Sequence, residues 1–120
     1  MIVLGIDPGS RKAGWGVIEV GRRGAVPLDW GIIRLTTSSP IMERLVELHD
    51  ALMAVITQHR PAQAAVEGMF QGGRMQNVQS VLKLGHARGV VLLAIGQAGL
   101  PLAEYAPAEV KKAITGRGRA

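Results

Sequence analysis

The chain has 120 residues, which suits one domain with a hydrophobic core and is short for two domains of ordinary size. Fourteen lysines and arginines against nine aspartates and glutamates give a net charge of +5, which favours a polyanionic partner such as nucleic acid; ordinary solubility is the alternative reading of that charge. The absence of cysteine excludes disulfides, zinc–thiolate sites and a cysteine nucleophile.

The N-terminal segment predicts a buried β-strand that ends at a carboxylate. The apolar run Ile2–Ile6 is followed by Asp7 and then by Pro8-Gly9, a pair that lets the chain reverse, and a second strand is predicted over Ala13–Val20. A carboxylate at the rigid end of a central strand can hold a hard cation such as Mg²⁺. The alternative is an aspartate that only begins an Asx turn.

The next elements predict an antiparallel meander followed by an amphipathic helix. A basic turn over residues 21–24 leads to a third strand over Leu28–Leu35. Ser39 is then expected to cap a helix whose first residue is Pro40, and apolar residues recur at spacings of three and four until His59.

A short strand after this helix also stops at a carboxylate. It covers Gln63–Val66 and is followed by Glu67. Because a strand, a crossover helix and a strand form a right-handed parallel unit, we expect Asp7 and Glu67 to converge at one edge of the sheet, to face solvent and to share a cation. The alternative for Glu67 is an acid paired with a nearby lysine or arginine.

The second half of the chain predicts a loop over Met69–Gln76, a helix from about Asn77 to Ala98, a fifth strand over Leu100–Ala106 and a last helix that begins at Pro107. The long helix is apolar nearly all round in its second half, so we expect it to be fully buried or to form half of a dimer interface. The pattern as a whole is that of a single α/β domain over residues 1–120.

Membrane insertion and export are not expected. The start of the chain lacks the basic segment and the uninterrupted apolar run of a signal peptide. The longest continuous apolar stretch, residues 89–96, is too short to cross a bilayer. A cytoplasmic protein without membrane contact is therefore predicted.

Five segments in fixed order resemble the RuvC family of Holliday-junction resolvases, and the resemblance covers essentially the whole chain. They are Gly5-Ile6-Asp7-Pro8-Gly9-Ser10, Ala65-Val66-Glu67 with Phe70, Leu82-Lys83-Leu84-Gly85-His86-Ala87-Arg88-Gly89, Pro101-Leu102-Ala103-Glu104-Tyr105, and Val110-Lys111 leading to Gly116.

The resemblance implies a ribonuclease H-like fold with a five-stranded mixed sheet, the first three strands antiparallel, and helices on both faces. It also implies a homodimer that nicks four-way DNA junctions with two Mg²⁺ or Mn²⁺ ions per active site. The expected partners are junction DNA and branch-migration machinery of the RuvA and RuvB type, in a bacterial cytoplasm.

The resemblance also assigns roles to particular residues. Asp7 and Glu67 match the first two metal-binding acids of the family, and Lys111 matches a lysine close to the scissile phosphate. Phe70 matches an aromatic that wedges at the junction. With the DNA contacts expected from the basic residues, the predicted DNA-binding set is Phe70, Arg74, Lys111, Lys112 and Arg11, and the predicted dimer interface is Val78, Leu82, Gly85 and Gly89.

Each of these roles has a simpler alternative. Phe70 could instead be a core residue. Lys111 and Lys112 could only stabilise the last helix by interacting with its dipole. Gly85 and Gly89 could only allow close packing against the sheet within one subunit.

The family pattern continues past residue 120 into a helix that supplies two further metal ligands. We therefore expect a truncated chain with impaired nuclease activity. Three other functions are weighed: a non-catalytic junction-binding domain, a ribonuclease H-like nuclease acting on RNA, and a phosphate-binding module of the actin and sugar-kinase type. The last of these would need a second glycine-rich loop, which the sequence lacks.

Overall fold

A computed structural model of the chain describes residues 1–67 and 78–103, together with residues 110 and 114. The described elements follow in this order: β1 (Ile2–Asp7), β2 (Lys12–Gly21), β3 (Gly24–Arg34), α1 (Ile41–His59), β4 (Gln63–Val66) and α2 (Val78–Gln97). The loop predicted over residues 69–76 and most of the predicted last helix lie outside the described residues.

The strands form one mixed sheet in the order β3-β2-β1-β4. The first three strands are an antiparallel meander, and β4 pairs in parallel with β1, as the sequence predicts. The turn between β2 and β3 is tight, since Gly21 pairs with Gly24 and only two residues lie between them. Gly24 has a φ of +112°, a backbone conformation that glycine adopts without steric strain.

The main core lies between one face of the sheet and the two helices. Leu4 and Ile6 of β1 are fully buried there against Leu48 and Leu52 of α1, and Val91 of α2 completes this layer. Full burial of one such aliphatic side chain stabilises the fold by about 1.5–3 kcal/mol. This face therefore anchors β1 at the centre of the sheet.

The opposite face of the sheet carries a smaller cluster, and Ile114 near the C-terminus lies against this face. Val3 and Ile18 are buried on this face. Val110 is also buried, and the side chain of Ile114 lies against Gly14 of β2. Residues 110 and 114 are both helical, so helical residues lie on the second face as well as the first, as expected.

The start of α1 differs from the prediction. The helix begins at Ile41, and Pro40 is its N-cap without a side-chain hydrogen bond. The carbonyl of Pro40 accepts the backbone N–H groups of Glu43 and Arg44 at 3.0 and 3.1 Å. The assignment of Ser39 as the cap is wrong because Pro40 occupies the cap position, and Ser39 belongs to the preceding turn, where its N–H donates to the carbonyl of Thr36 at 3.0 Å.

Two strand predictions also need correction. The third strand begins at Gly24 rather than Leu28, and the register shift opposite Val17 and Ile18 accommodates Pro27 within it. The fifth strand is reduced, within residues 100–103, to a single parallel bridge between Ala64 and Leu102. The backbone still runs beside β4 at this point, because the N–H of Ala103 donates to the carbonyl of Ala64 at 2.7 Å.

By length and composition alone, α2 is long and apolar enough to cross a membrane, with a mean hydropathy of 1.3. The sequence prediction considered only the uninterrupted apolar run over residues 89–96, and so it underestimated the length of the apolar segment that this helix forms. A helix that packs into a soluble core meets the same two criteria, and α2 buries Ala87, Val91, Ala94 and Ile95. Only 22% of its apolar window is buried, so the expectation of a fully buried helix is wrong, and the dimer interface remains a prediction.

Candidate active site

The two predicted acids follow neighbouring strands at the same end of the sheet. The parallel register of β1 and β4 aligns Ile6 with Val66, so Asp7 and Glu67 come next on the two strands. The N–H of Glu67 donates to the carbonyl of Ile6 at 2.9 Å, which extends the pairing to this point. Ile6 and Val66 belong to the helix-facing core, and side chains alternate along a strand, so both acids lie on the other face.

The two acids differ in exposure. Asp7 is exposed, whereas Glu67 is only 7% exposed. The expectation that both acids face open solvent is therefore wrong for Glu67. The guanidinium of Arg88 on α2 lies beside this position and donates from Nη1 to the backbone carbonyl of Glu67 at 2.7 Å.

Arg88 was not predicted as part of the site. It lies between the buried Ala87 and the apolar second half of α2, and a half-buried arginine next to an apolar segment is the signal that points to it. Because a buried carbonyl needs a hydrogen-bond donor, Arg88 fixes the backbone that carries Glu67.

The turn after Asp7 is held by contacts that leave little room. A Cβ on Gly9 would lie 2.2 Å from the carbonyl oxygen of Lys12, so only glycine fits there. The carbonyl of Arg11 accepts the N–H of Leu35 at 2.9 Å, and Arg44 of α1 donates from Nη1 to the carbonyl of Ser10 at 3.2 Å. Leu35, directly after β3, and Arg44 of α1 therefore fix the turn that follows the Asp7 carboxylate.

The residue opposite Asp7 on β2 is Gly14, which makes room for a side chain from the C-terminal segment. A Cβ on Gly14 would lie 2.9 Å from Cγ2 of Ile114 and 4.0 Å from Cβ of Asp7. Ile114 therefore packs against Gly14, the residue paired with the first acid, a contact that no sequence pattern indicated.

The donor set suits a hard cation. Asp7 and Glu67 offer carboxylate oxygens, and Mg²⁺ is often held by one or two carboxylates with water and substrate phosphate as the other ligands. Within residues 1–67 and 78–103, no cluster of three or more histidine, cysteine, aspartate or glutamate side chains could hold a metal. The described part of the site therefore supplies two ligands.

Four of the predicted DNA-binding residues, Phe70, Arg74, Lys111 and Lys112, lie outside the described residues. Arg11 is described, and it is exposed on the turn that follows Asp7.

The predicted dimer residues form one stripe along α2. Val78 and Leu82 are 74% and 56% exposed, Gly85 is half-buried, and Gly89 is exposed with nothing within 4 Å of where its Cβ would be. These positions are spaced by four, three and four residues and so share one face of the helix.

Three antiparallel strands, a fourth strand parallel to the first and acids at the adjoining strand ends define an α/β protein of the ribonuclease H-like class. Two solved structures share this architecture. One is Thermus thermophilus RuvC in complex with a Holliday junction substrate, with a TM-score of 0.78 and 33% identity over 93% of this chain and 68% of that chain. The other is a Thermus thermophilus RuvC structure, with a TM-score of 0.74 and 35% identity over 100% of this chain and 72% of that chain.

The sequence comparisons agree with the structural ones. The family model described as crossover junction endodeoxyribonuclease RuvC matches residues 3–120. RuvC of Myxococcus xanthus is 52% identical over 98% of this chain and 60% of its own length, and RuvC of Magnetococcus marinus is 50% identical over 98% and 64%. The chain belongs to the RuvC family, and it spans less than two thirds of the length of these two relatives.

Proposed function

We propose that the protein is a metal-dependent endonuclease that cuts four-way DNA junctions. The observation that supports this most directly is the pairing of β1 with β4, which leaves Asp7 and Glu67 as neighbours at two strand ends on one face of the sheet. The family's printed name describes an endodeoxyribonuclease acting at crossover junctions, and one structural relative was solved with a Holliday junction substrate.

The proposed roles follow from the chemistry of phosphodiester hydrolysis. A bound pair of divalent cations, Mg²⁺ or Mn²⁺, would activate water and stabilise the leaving oxygen. Asp7, which is exposed and held on a rigid turn, would supply carboxylate oxygens to a cation shared with Glu67. Lys111 would stabilise negative charge on the phosphate oxygens. Neither a serine nor a cysteine nucleophile is needed.

The test is cleavage of a synthetic four-way junction in Mg²⁺ by the protein expressed from its own gene, with the intact mass recorded. We expect two symmetric nicks, no product from linear duplex, and loss of cleavage in Asp7→Asn and Glu67→Gln. Cleavage of an RNA–DNA hybrid in preference to the junction would favour the ribonuclease alternative. Junction binding without cleavage would favour a binding domain.

We propose further that two copies of the chain associate through the exposed stripe on α2. An apolar groove of about 340 Å³ between α1 and α2 continues this surface. Its lining is Leu45, Val46, His49, Val90, Leu93 and Gln97. Large exposed apolar patches on a folded protein mark interaction surfaces.

Sedimentation velocity tests the dimer. Leu82→Glu places a charge inside the stripe and is expected to shift the protein towards monomer. Gln58→Glu adds the same charge at an exposed position of α1, outside both the stripe and the groove, and is expected to leave the dimer intact. A wild-type monomer at high concentration would contradict the proposal.

The remaining expectations stay predictions. Phe70 and Arg74 as junction contacts, Lys112 as a phosphate contact, partners of the RuvA and RuvB type and a cytoplasmic location rest on the resemblance and on the charge of the chain. A Phe70→Ala variant that cleaves junctions normally would remove the wedge role.

A further inference from the structure

A polar cavity of about 370 Å³ opens beside the turn that follows Asp7. It lies where this turn meets the loop before α1, the first turn of α1 and the start of α2. Its lining is Ser10, Arg11, Thr37, Arg44, Ser80 and Lys83. Its volume lies within the range of about 300–1,000 Å³ that is common for ligand sites.

Within residues 1–67 and 78–103, the side chains that line this cavity are three cations and three hydroxyl groups, without a carboxylate. Arg11 and Lys83 are exposed and form no ion pair with any residue that the structure describes. Glu47, an acid of the same helix as Arg44, is bonded to the backbone N–H and hydroxyl of Thr36. Three like charges around one cavity repel each other, so an anion bound among them would be stabilised.

Arg44 lines the cavity with a guanidinium whose orientation is already fixed. Its Nη1 donates to the carbonyl of Ser10, which orients the planar guanidinium. Its Nε is buried and has no hydrogen-bond partner among the described residues. A guanidinium has five N–H donors in a fixed fork, which suits the oxygens of a phosphate.

We propose that this cavity binds a backbone phosphate of the nucleic acid, next to the phosphate that is cut. The hydroxyls of Ser10 and Thr37 and the cations are donors to anionic oxygens. Among the residues that the structure describes, none that lines the cavity is an aromatic or large apolar residue that could stack on a base. The proposal adds Arg44 and Lys83 to Arg11 as phosphate contacts, and it rests on the proposed nuclease function only for the identity of the polyanion.

The experiment compares the 120-residue chain with Arg11→Gln, Lys83→Gln and a matched control, Arg22→Gln. Arg22 lies in the exposed turn between β2 and β3, at the end of β2 away from the site, and its loss changes the net charge by the same amount. Binding to a labelled four-way junction and to a labelled linear duplex is measured by fluorescence anisotropy at several salt concentrations. Circular dichroism confirms that each variant is folded.

Each pocket variant is expected to reduce the slope of log affinity against log salt by about 0.9 and to weaken binding about fivefold at 0.15 M salt, because one phosphate contact releases about one counterion. Arg22→Gln is expected to change neither value. Arg44→Lys keeps the charge but loses the fork, so it should weaken binding and leave the slope nearly unchanged.

The proposal would be overturned if Arg11→Gln and Lys83→Gln changed the affinity and the salt slope as little as Arg22→Gln does. It would also be overturned if the wild-type chain bound neither DNA at low salt. Competition by inorganic phosphate without any effect of Lys83→Gln on DNA binding would also overturn it, since the cavity would then bind the free anion. Equal binding of junction and duplex by the wild type would count against junction specificity only. The difference between variants on either DNA would still decide whether the cavity binds a phosphate.

Discussion

Two turns of the same antiparallel meander are fixed in different ways. In the turn between β1 and β2, a Cβ on Gly9 would collide with the carbonyl of Lys12, and both Leu35 and Arg44 donate to its backbone. In the turn between β2 and β3, nothing lies within 4 Å of a Cβ on Gly21 or Gly24.

The difference shows which turn of this fold is fixed by tertiary contacts and which is not. The open turn needs only local chemistry, because two strands that pair up to Gly21 and Gly24 leave two residues to reverse the chain. The turn after Asp7 is held by Leu35, which follows β3, and by Arg44 of α1, both distant in sequence. A carboxylate that is proposed to hold a cation would need such support from several elements.

The largest expected effect is the loss of activity in Asp7→Asn. An amide cannot supply the charged oxygen that a divalent cation requires, and loss of even an outer-shell partner typically lowers metal affinity or activity by 10–100-fold, so we expect more than about 100-fold here. Single-turnover cleavage of a four-way junction measures this. Glu19→Gln removes a carboxylate near the open turn and should cleave at the wild-type rate.

The second effect is on stability and tests the two turns directly. Gly9→Ala should lower the free energy of unfolding by about 1–3 kcal/mol, because the backbone of Lys12 has to move to accept the methyl group. Gly21→Ala at the open turn should be neutral or stabilising by up to about 1 kcal/mol. Urea denaturation measures both. Equal values for the two variants would contradict the comparison.

The third effect concerns the hydrogen bond from Arg88 to the carbonyl of Glu67. Arg88→Met keeps much of the apolar stem and removes this bond, so we expect a loss of about 1 kcal/mol of stability. Arg22→Met removes an arginine from the open turn and should change the stability by less than about 0.5 kcal/mol. A similar small change in both variants would mean that Arg88 does not support the site.

The sequence predicted the parts of this fold that depend on local pattern. The strand runs before Asp7 and Glu67, the crossover helix and the parallel pairing follow from periodicity and from the handedness of the connection. It did not predict that Glu67 is buried, that Arg88 donates to its carbonyl or that Ile114 packs against Gly14. These contacts join residues from 21 to 100 positions apart, and no short-range spacing encodes them.

The predicted fifth strand is a second example of what local pattern does not determine. Residues after Leu100 have the apolar composition of a strand, but strand length depends on which backbone groups find partners. Within residues 100–103 the chain makes one bridge to Ala64, and Ala64 bonds to both Pro101 and Ala103. Composition therefore predicted the position of this segment beside β4, whereas the single bridge within residues 100–103 depends on backbone partners that composition does not specify.

The smallest expected effect belongs to neither turn and concerns pH. Nε2 of His49 on α1 lies 2.6 Å from Oε1 of Gln97 near the end of α2, and Nδ1 lies 3.4 Å from Oδ1 of Asp50. These hydrogen bonds, that to Gln97 first, raise the pKa of His49 above its usual 6.5. A doubly protonated ring can donate to both oxygens, whereas a neutral ring can donate to one.

A raised pKa in the folded state contributes stability that is fully present below pH 6.5 and is lost as the pH rises through the folded pKa. We therefore expect His49→Gln to lower the melting temperature at pH 5.5 and to match the wild type at pH 8.5, with dilute protein to avoid self-association. The melting difference between Gly9→Ala and Gly21→Ala should be the same at both pH values, because His49 contacts neither turn. A His49→Gln effect that increases above pH 7 would contradict the hydrogen-bond assignment, since only the protonated ring can donate to Gln97 and Asp50 together.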